Sequence, residues 1–201
     1  MNRHPDIDGR MGLFDAEGCR KYLCASERRR FLAAAATADL TTRLFCQLLA
    51  ITGCRLSEAL ALTPKRLDPE TGRVIFRTLK RRRRIFRAVP VPPDLMRALQ
   101  LMAAAKEPDA PLWGWCRQTG WRHVTAVMAR AGIAGPQASP KGLRHAFGVA
   151  NAENNIPASL TQRWLGHARA ETTAIYQQAV GGEERAFAER LWRFGRSIAG
   201  G

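Results

Sequence analysis

Acidic residues are scarce in this chain. Its 201 residues include 17 Asp and Glu against 32 Lys and Arg, which gives a formal net charge of +15 at pH 7. A positive excess of this size indicates a polyanionic partner, and nucleic acid is the first candidate. A hydrophobic content of 46% argues against an intrinsically disordered chain. The sequence therefore predicts a folded protein that binds nucleic acid.

Cysteine patterns typical of a metal site or a disulfide framework are also missing. The five cysteines are odd in number and none forms a C-x-x-C pair, so we interpret them as reduced thiols and expect no structural zinc. His4 and His123 have no partners at metal-ligand spacing and receive no role. We expect no metal and no other cofactor.

Long apolar runs and a secretory signal are absent as well. No apolar stretch approaches the roughly 20 residues that span a bilayer, and the N-terminus lacks a positive-then-apolar pattern. We therefore expect a cytoplasmic protein with no membrane partner. Residues 1–18 are polar and without periodicity, which predicts a flexible leader. We find no internal repeat and no long linker, so residues 19–201 are predicted to form one domain.

Helical periodicity organises the first part of that domain. Ser26 is placed to cap a first helix, and Thr41 to Thr52 forms a second whose end is marked by Gly53. A third helix begins around Leu56. Arg55 is therefore predicted at a helix N-terminus, where backbone N–H groups favour a phosphate.

A β-hairpin with a basic tip is predicted next. A turn signal at 68–72 precedes an apolar strand at 74–76, and a second strand covers residues 85–91 with the proline that is typical of an edge strand. Between the strands lies the basic run Lys80, Arg81, Arg82, Arg83 and Arg84. Everything after this hairpin reads as helical. The fold class predicted is α+β, mainly α, with a small antiparallel sheet.

The helix from Ser139 to Asn151 is predicted to have two different faces. Ser139 suits the N-cap position and Pro140 the first helical position. At 100° per residue, four apolar residues form one stripe: Leu143, Ala146, Phe147 and Ala150. The opposite face is predicted to present charge and carries Lys141, Arg144 and Gly148. Gly148 is expected to leave room for a ligand or a backbone to approach.

Two further helices follow. A short helix ends at Gly166 and places His167 on its exit loop, and the next helix is predicted to carry Tyr176. A last helix, 183–199, has an apolar stripe from Phe187 to Ile198. This stripe could pack on its own domain or on a neighbouring subunit.

The chemistry that Arg55, Arg144 and Tyr176 can support is phosphoryl transfer to a hydroxyl of the protein. Charge grows on the non-bridging oxygens of a phosphodiester during in-line attack. Guanidinium groups stabilise that charge because their planar forks bind two oxygens and keep their protons. A phenol with a pKa of about 10 needs orientation and a neighbouring basic group before it can attack at neutral pH. We predict that the arginines clamp the phosphate and that Tyr176 is the nucleophile.

The ordered set of motifs resembles the catalytic domain of the tyrosine recombinases, the phage integrase family, over roughly residues 20 to 190. The motifs are Thr52-Gly53-Cys54-Arg55, a lysine in the hairpin, Leu143-Arg144-His145, Leu165-Gly166-His167 and Tyr176. The resemblance implies a covalent 3′-phosphotyrosyl intermediate on duplex DNA and a free 5′-hydroxyl, formed without a metal or a cofactor. It also implies a bacterial, nucleoid-associated enzyme.

The resemblance assigns roles to individual residues. Lys80 would protonate the leaving 5′-oxygen, with Arg81 as a rival for the same position, and His167 would hydrogen-bond the scissile phosphate. Glu58 would brace an active-site arginine or its helix. Lys141 stands where histidine is usual in the family. Lysine there keeps an electrostatic role but leaves the identity of the general base open.

Other basic residues receive simpler interpretations. Arg81, Arg82, Arg83 and Arg84 are expected to bind DNA through its phosphates. His145 is assigned to structure, as a side chain hydrogen-bonded to backbone. Taken alone, Tyr176 would be read as a packing residue and the basic run as a solvated face. Only the ordered set as a whole indicates the family.

The resemblance also predicts the assembly and the size class. Active members are homo-tetramers on two DNA sites, joined by the C-terminal helix, and accessory DNA-bending proteins are further candidate partners. About fifty residues precede the Arg55 motif, so the chain is similar in size to the fimbrial phase-variation invertases or is a fragment of a longer protein. Two alternatives stay open: a type IB topoisomerase that relaxes DNA, and a non-catalytic DNA-binding regulator with the same fold.

Overall fold

The computed structural model describes residues 12–78 and 85–176. Within these ranges the helices are α1 Ala25–Ala36, α2 Leu40–Thr52, α3 Leu56–Leu60, α4 Pro93–Ala103, α5 Arg117–Arg130, α6 Pro140–Glu153, α7 Ala158–Leu165 and α8 Glu171–Ala174. A short 3-10 helix, Pro64–Arg66, follows α3. The strands are β1 Leu67–Asp68, β2 Arg73–Thr78 and β3 Ile85–Pro90. The predicted fold class, mainly helical with a small antiparallel sheet, is confirmed.

The sheet is antiparallel in the order β1-β2-β3. Val74 lies opposite Val89 and Thr78 opposite Ile85, so β2 and β3 form the predicted hairpin. Side chains alternate along β2, and Val74, Phe76 and Thr78 are buried. Because β3 has a partner on only one side among the described strands, it is the predicted edge strand. The basic run Lys80–Arg84 lies outside the described residues, as does the predicted C-terminal helix with its apolar stripe.

Helix α2 forms the centre of the core. Asp39 caps it by accepting a hydrogen bond from the backbone N–H of Thr42 at 2.9 Å. Its core residues, all almost fully buried, are Leu44, Phe45, Leu48 and Leu49. α1, α4 and α6 pack around it. The helix ends at Gly53 in the left-handed conformation, with φ of 60°, as predicted.

The start of α1 differs from the prediction. Cys24, not Ser26, is the N-cap residue, and its backbone N–H donates to a carboxylate oxygen of Glu27 at 2.9 Å. Glu27 stands three positions after Cys24, the spacing of a capping box, and this places the cap two residues before the predicted one. The described end of the predicted leader, residues 12–18, packs onto the domain, because Leu13 is buried against Phe147.

Both faces of α6 are buried, which corrects the prediction that one face presents charge. Lys141 is exposed, but Arg144 and Gly148 are buried, and so are the stripe residues Leu143, Ala146 and Phe147. The reason is tertiary, since the end of α7 and the side chain of Tyr176 cover the face that periodicity assigned to the outside. Among the described residues no helix is long and apolar enough to cross a membrane.

Gly53 provides a test of how α2 is joined to α6. A Cβ at this position would lie 2.6 Å from the Phe147 ring, and the positive φ adds backbone strain. We expect Gly53→Ala to lower the free energy of unfolding by about 2 to 5 kcal/mol, measured by urea denaturation. Gly114→Ala is the matched control, since a Cβ at Gly114 meets nothing within 4 Å. Equal stabilities of the two variants would contradict this account.

Candidate active site

Arg144 connects two helix ends across the interior of the protein. Its Nη1 donates to the carbonyl of Gly53 at 2.8 Å, and its Nη2 donates to the carbonyl of Leu165 at 2.8 Å. These carbonyls lie at the C-termini of α2 and α7, where helices leave acceptors unsatisfied. Burial, together with the charge of Arg55, lowers the pKa of Arg144 to about 10. The guanidinium is therefore still charged at neutral pH and has further N–H groups for a ligand.

Glu58 gathers two other arginines in the interior. Its carboxylate accepts from Arg87 Nη1 at 3.1 Å and Nη2 at 2.6 Å, a bidentate pair. It also accepts from Arg55, through the backbone N–H at 2.8 Å and through Nη1 at 2.9 Å. The side chain of Glu58 is 0% exposed and that of Arg87 is 4% exposed. Burial raises the pKa of Glu58, but hydrogen bonds and charge from Arg87 and Arg55 outweigh it, so the net shift is downward.

Arg55 lies at the N-cap of α3, as predicted. The helix begins there because the Glu58 carboxylate accepts from the Arg55 backbone N–H, as in a capping box. One face of the guanidinium is fixed by Glu58, while the side chain remains 25% exposed. Arg55 is thus oriented by the protein and still accessible to a phosphate.

The loop after α7 carries His167. Gly166 ends the helix with φ of 67°, and its backbone N–H donates to the carbonyl of Gln162 at 2.9 Å. A Cβ at Gly166 would lie 3.1 Å from the Arg87 side chain, so glycine also allows that close approach. Arg87 Nε donates to the Trp164 carbonyl at 2.6 Å and holds the loop from the other side. His167 Nδ1 is 2.9 Å from the hydroxyl of Thr173.

Tyr176 lies between His145 and His167. Its side chain is buried, and a Cβ at Gly148 would lie 2.5 Å from the phenol ring. The His167 ring lies nearly parallel to it, with centroids 6.1 Å apart, and the hydroxyl is 3.2 Å from Nδ1 of His145. The space at Gly148 is therefore filled by Tyr176, which corrects the expectation that a ligand or a backbone approaches there.

Burial, and after it the neighbouring positive charges, sets the protonation of these rings. Burial, followed by the charges of Arg144 and Arg55, lowers the pKa of His167 to about 3. Burial, followed by the charges of Lys141 and Arg144, lowers the pKa of His145 to about 4. Burial raises the pKa of Tyr176, while Arg144 and Arg55 act in the opposite direction. At neutral pH both histidines are neutral and the phenol is protonated.

A cleft of about 360 Å³ opens beside this cluster. It is lined by Thr78 and Ile85, the last and first described residues on either side of the basic run, and by Arg87, Gly166 and His167. Among the described residues, no group of His, Cys, Asp or Glu is arranged to hold a metal ion.

Four of the six predicted catalytic residues converge in the structure: Arg55, Arg144, His167 and Tyr176. Lys141 is exposed on the first turn of α6, and it influences this cluster through its charge on His145. Lys80, its rival Arg81, and Arg82, Arg83 and Arg84 lie outside the described residues. Tyr176 follows α8 in a turn instead of lying within a longer helix, because α8 ends at Ala174.

Sequence reasoning missed Arg87 and the hydrogen-bond partner of His145. Arg87 is a charged residue on the buried face of β3, two positions before Val89, and this break in the alternation was a usable signal. His145 was expected to bond to backbone, but its recorded partner is the Tyr176 hydroxyl. The two residues are 31 positions apart, so no local pattern predicts the contact.

The assembled site suits phosphoryl transfer. Two guanidinium groups and a neutral imidazole can donate hydrogen bonds to a phosphate, and the phenol is held beside them. This is the composition that in-line attack on a phosphodiester requires.

Comparison with known proteins identifies the family of this chain. A model of the phage integrase family matches residues 21–181. Tyrosine recombinase XerD of Mycobacterium tuberculosis (strain CDC 1551 / Oshkosh) is 30% identical over 151 residues, which cover 68% of this chain and 47% of that relative. The chain thus spans about half the length of the curated relatives it matches.

Solved structures share the fold. XerH site-specific recombinase, in a post-cleavage complex with a palindromic difH substrate, superposes with a TM-score of 0.73 at 22% identity, covering 94% of this chain and 57% of that one. The catalytic domain of bacteriophage HP1 integrase gives a TM-score of 0.60 at 22% identity, covering 84% of this chain and 93% of that one. The second match concerns a catalytic domain that this chain covers almost completely.

Removal of Arg87 tests the buried carboxylate network. Arg87→Met leaves the Glu58 carboxylate in the interior with fewer donors, and we expect a loss of about 3 to 5 kcal/mol in the free energy of unfolding by urea denaturation. Arg97→Met is the control, because Arg97 pairs with Asp94 on the surface and such pairs contribute little. Similar losses in both variants would show that the buried network does not stabilise the fold.

Acid titration tests the two neutral histidines. Their folded-state pKa values of about 3 for His167 and about 4 for His145 lie below the unfolded value of about 6.5. Their contribution to stability is therefore complete above pH 6.5 and decreases as pH falls toward these lowered values. We expect a loss of urea stability between pH 6.5 and 4.5 that is smaller in His167→Gln. An unchanged slope in the variant would contradict the assignment.

Proposed function

The chain belongs to the phage integrase family, and we propose that it cuts and rejoins duplex DNA through a 3′-phosphotyrosyl intermediate on Tyr176. The observation that carries the proposal is the convergence of Arg55, Arg144 and His167 around that phenol. The XerH structure in a post-cleavage complex with its DNA substrate supports it by analogy of fold.

The scissile phosphate is bound first by the two arginines. Arg55 is partly exposed and oriented by Glu58, while Arg144 keeps free N–H groups after its two carbonyl bonds. A phosphodiester placed between them exchanges water for charge-assisted hydrogen bonds. His167 adds a neutral donor on the side of Tyr176. The negative charge that grows on the non-bridging oxygens is thus met by groups that need no reorganisation.

The phenol then attacks phosphorus and the 5′-oxygen leaves. Burial raises the pKa of Tyr176, so the positive charges of Arg144 and Arg55 are needed to stabilise developing negative charge on its oxygen. Lys80, or Arg81 as the alternative, is proposed to protonate the leaving 5′-oxygen as general acid. The described residues that flank this run, Thr78 and Ile85, line the cleft, which supports the proposal. In this proposal Glu58 positions Arg55, and Lys141 contributes positive charge.

The proposed substrate is duplex DNA, held largely through phosphates, in keeping with the net charge of +15. Arg81, Arg82, Arg83 and Arg84 are proposed DNA contacts. We further propose that the active form is a homo-tetramer on two DNA sites, with accessory DNA-bending proteins as partners, acting at the nucleoid in the cytoplasm. Strand exchange between two DNA sites is the activity that distinguishes a recombinase from the alternatives.

Covalent trapping tests the proposal. Sheared genomic DNA from the source organism is incubated with the protein, SDS-resistant adducts are sequenced, and a nicked duplex is built on the recovered site. We expect wild-type protein to form an adduct through Tyr176 and Tyr176→Phe to lose at least about a thousandfold of this activity. Tyr22→Phe is the matched control, because Tyr22 is the other tyrosine of the chain.

The same substrate separates the alternatives. Strand exchange between two sites is the expected result for a recombinase. Relaxation of supercoiled DNA without exchange would identify a topoisomerase instead. If the wild-type protein binds the sheared genomic DNA but no SDS-resistant adduct is recovered, a non-catalytic regulator is the correct interpretation.

A further inference from the structure

We propose that His145 is a further catalytic residue that accepts the proton of the Tyr176 phenol during cleavage and returns it when the tyrosyl–phosphate bond is broken. The inference rests on the proposed function. It concerns the step that the rest of the site leaves open, namely where the proton of the nucleophile goes.

The contact is direct and fixed by packing. Nδ1 of His145 lies 3.2 Å from the phenol oxygen, and both residues are buried. Gly148, one turn after Arg144 on the same helix, leaves room for the tyrosine ring, which would meet any Cβ there at 2.5 Å. The phenol is therefore seated with its hydroxyl on an imidazole nitrogen, which can accept its proton at short range.

The state of the imidazole suits an acceptor. Nε2 of His145 is buried without a hydrogen-bond partner among the described residues, so the one recorded partner of the ring is the tyrosine hydroxyl. A ring held for structure alone would be expected to bond to the backbone or to more than one partner. In this protein the hydrogen-bonded nitrogen of His145 is Nδ1, and it faces the Tyr176 hydroxyl.

The positive charges around His145 keep its ring neutral at rest, so that the ring can accept a proton. The same charges favour loss of that proton afterwards. Lys141 and Arg144 act from its own helix, and Lys21 acts from the segment before α1. His167 lies on the other side of the Tyr176 ring. These groups favour the neutral ring at rest. The negative charge that develops on phosphate during attack offsets the transient imidazolium.

Lys141 is a poor alternative acceptor. An ammonium group carries three donors and no lone pair, so it cannot take a proton at neutral pH. Its side chain is also exposed at the start of α6, whereas His145 is buried against the phenol. We therefore assign the electrostatic role to Lys141 and the role of general base to His145.

The step balances without a further reactant. The O–H bond of Tyr176 breaks and its proton passes to Nδ1, the phenol oxygen bonds to phosphorus, and the P–O5′ bond breaks. The leaving oxygen takes its proton from the hairpin general acid of the proposed mechanism. In rejoining, a 5′-hydroxyl gives its proton back to the hairpin group and its oxygen attacks phosphorus. The bond from phosphorus to the phenol oxygen breaks, and Nδ1–H returns the proton to that oxygen. His145 ends neutral.

The test measures single-turnover adduct formation on two nicked duplexes that differ in the scissile linkage, one with a bridging 5′-oxygen and one with a bridging 5′-sulfur. A thiolate leaves without being protonated, so the sulfur substrate removes the need for the general acid only. We expect His145→Gln and His145→Asn to be slowed about 100-fold on both substrates. Lys80→Ala is expected to be slow on the oxygen substrate and restored on the sulfur substrate.

The pH profile separates a base from a structural role. Without an internal acceptor, the His145 variants depend on hydroxide, and their rate should rise about tenfold per pH unit from 6 to 8, while the wild-type rate changes little. Thermal melting and DNA binding verify that the variants are folded. His123→Gln is the control, since His123 pairs with Thr42 and stacks on Trp115.

The inference is overturned by any of three results: variant rates within about threefold of wild type, faster cleavage, which would make His145 a restraint on the phenol, or a variant pH profile parallel to that of the wild type. Failure of the wild-type protein to form any adduct would instead count against the proposed function. The two failures are therefore distinguishable.

Discussion

The buried carboxylate of Glu58 is the interaction on which the site depends. It pairs with Arg87 from the sheet and with Arg55 at the start of α3, and its side chain is fully buried. Arg87 in turn binds the Trp164 carbonyl beside the loop that carries His167. Cations placed in an interior without such an anion would be strongly destabilising. One carboxylate thus positions the elements that carry Arg55 and His167.

Positive charge remains in excess around this pair. Arg144 is bound by two carbonyls and not by a carboxylate, and its charge lowers the histidine pKa values nearby. In the resting protein this excess opposes the effect of burial on the pKa of Tyr176. A phosphodiester supplies the missing negative charge. The site is therefore electrostatically complete only with its proposed substrate, and the charge needed at the transition state is already in place.

Local rules predicted much of the fold and part of the site. The left-handed ends at Gly53 and Gly166, the start of a helix after Arg55 and the presence of the hairpin follow from local patterns that act over a few residues. The position of the Tyr176 ring does not follow from local patterns. The packing of its ring on Gly148, the contact with His145 and the pairing of Arg87 with Glu58 join residues about 30 positions apart, so they depend on how helices and strands meet.

The central claim is that both arginines and the phenol act on the same phosphorus atom. A crystal structure of the chain trapped covalently on a nicked duplex tests it most directly. The account predicts a phosphate bonded to Tyr176 with its non-bridging oxygens within hydrogen-bond distance of the guanidinium groups of Arg55 and Arg144. A covalent phosphate on another residue, or one beyond the reach of these arginines, would contradict it.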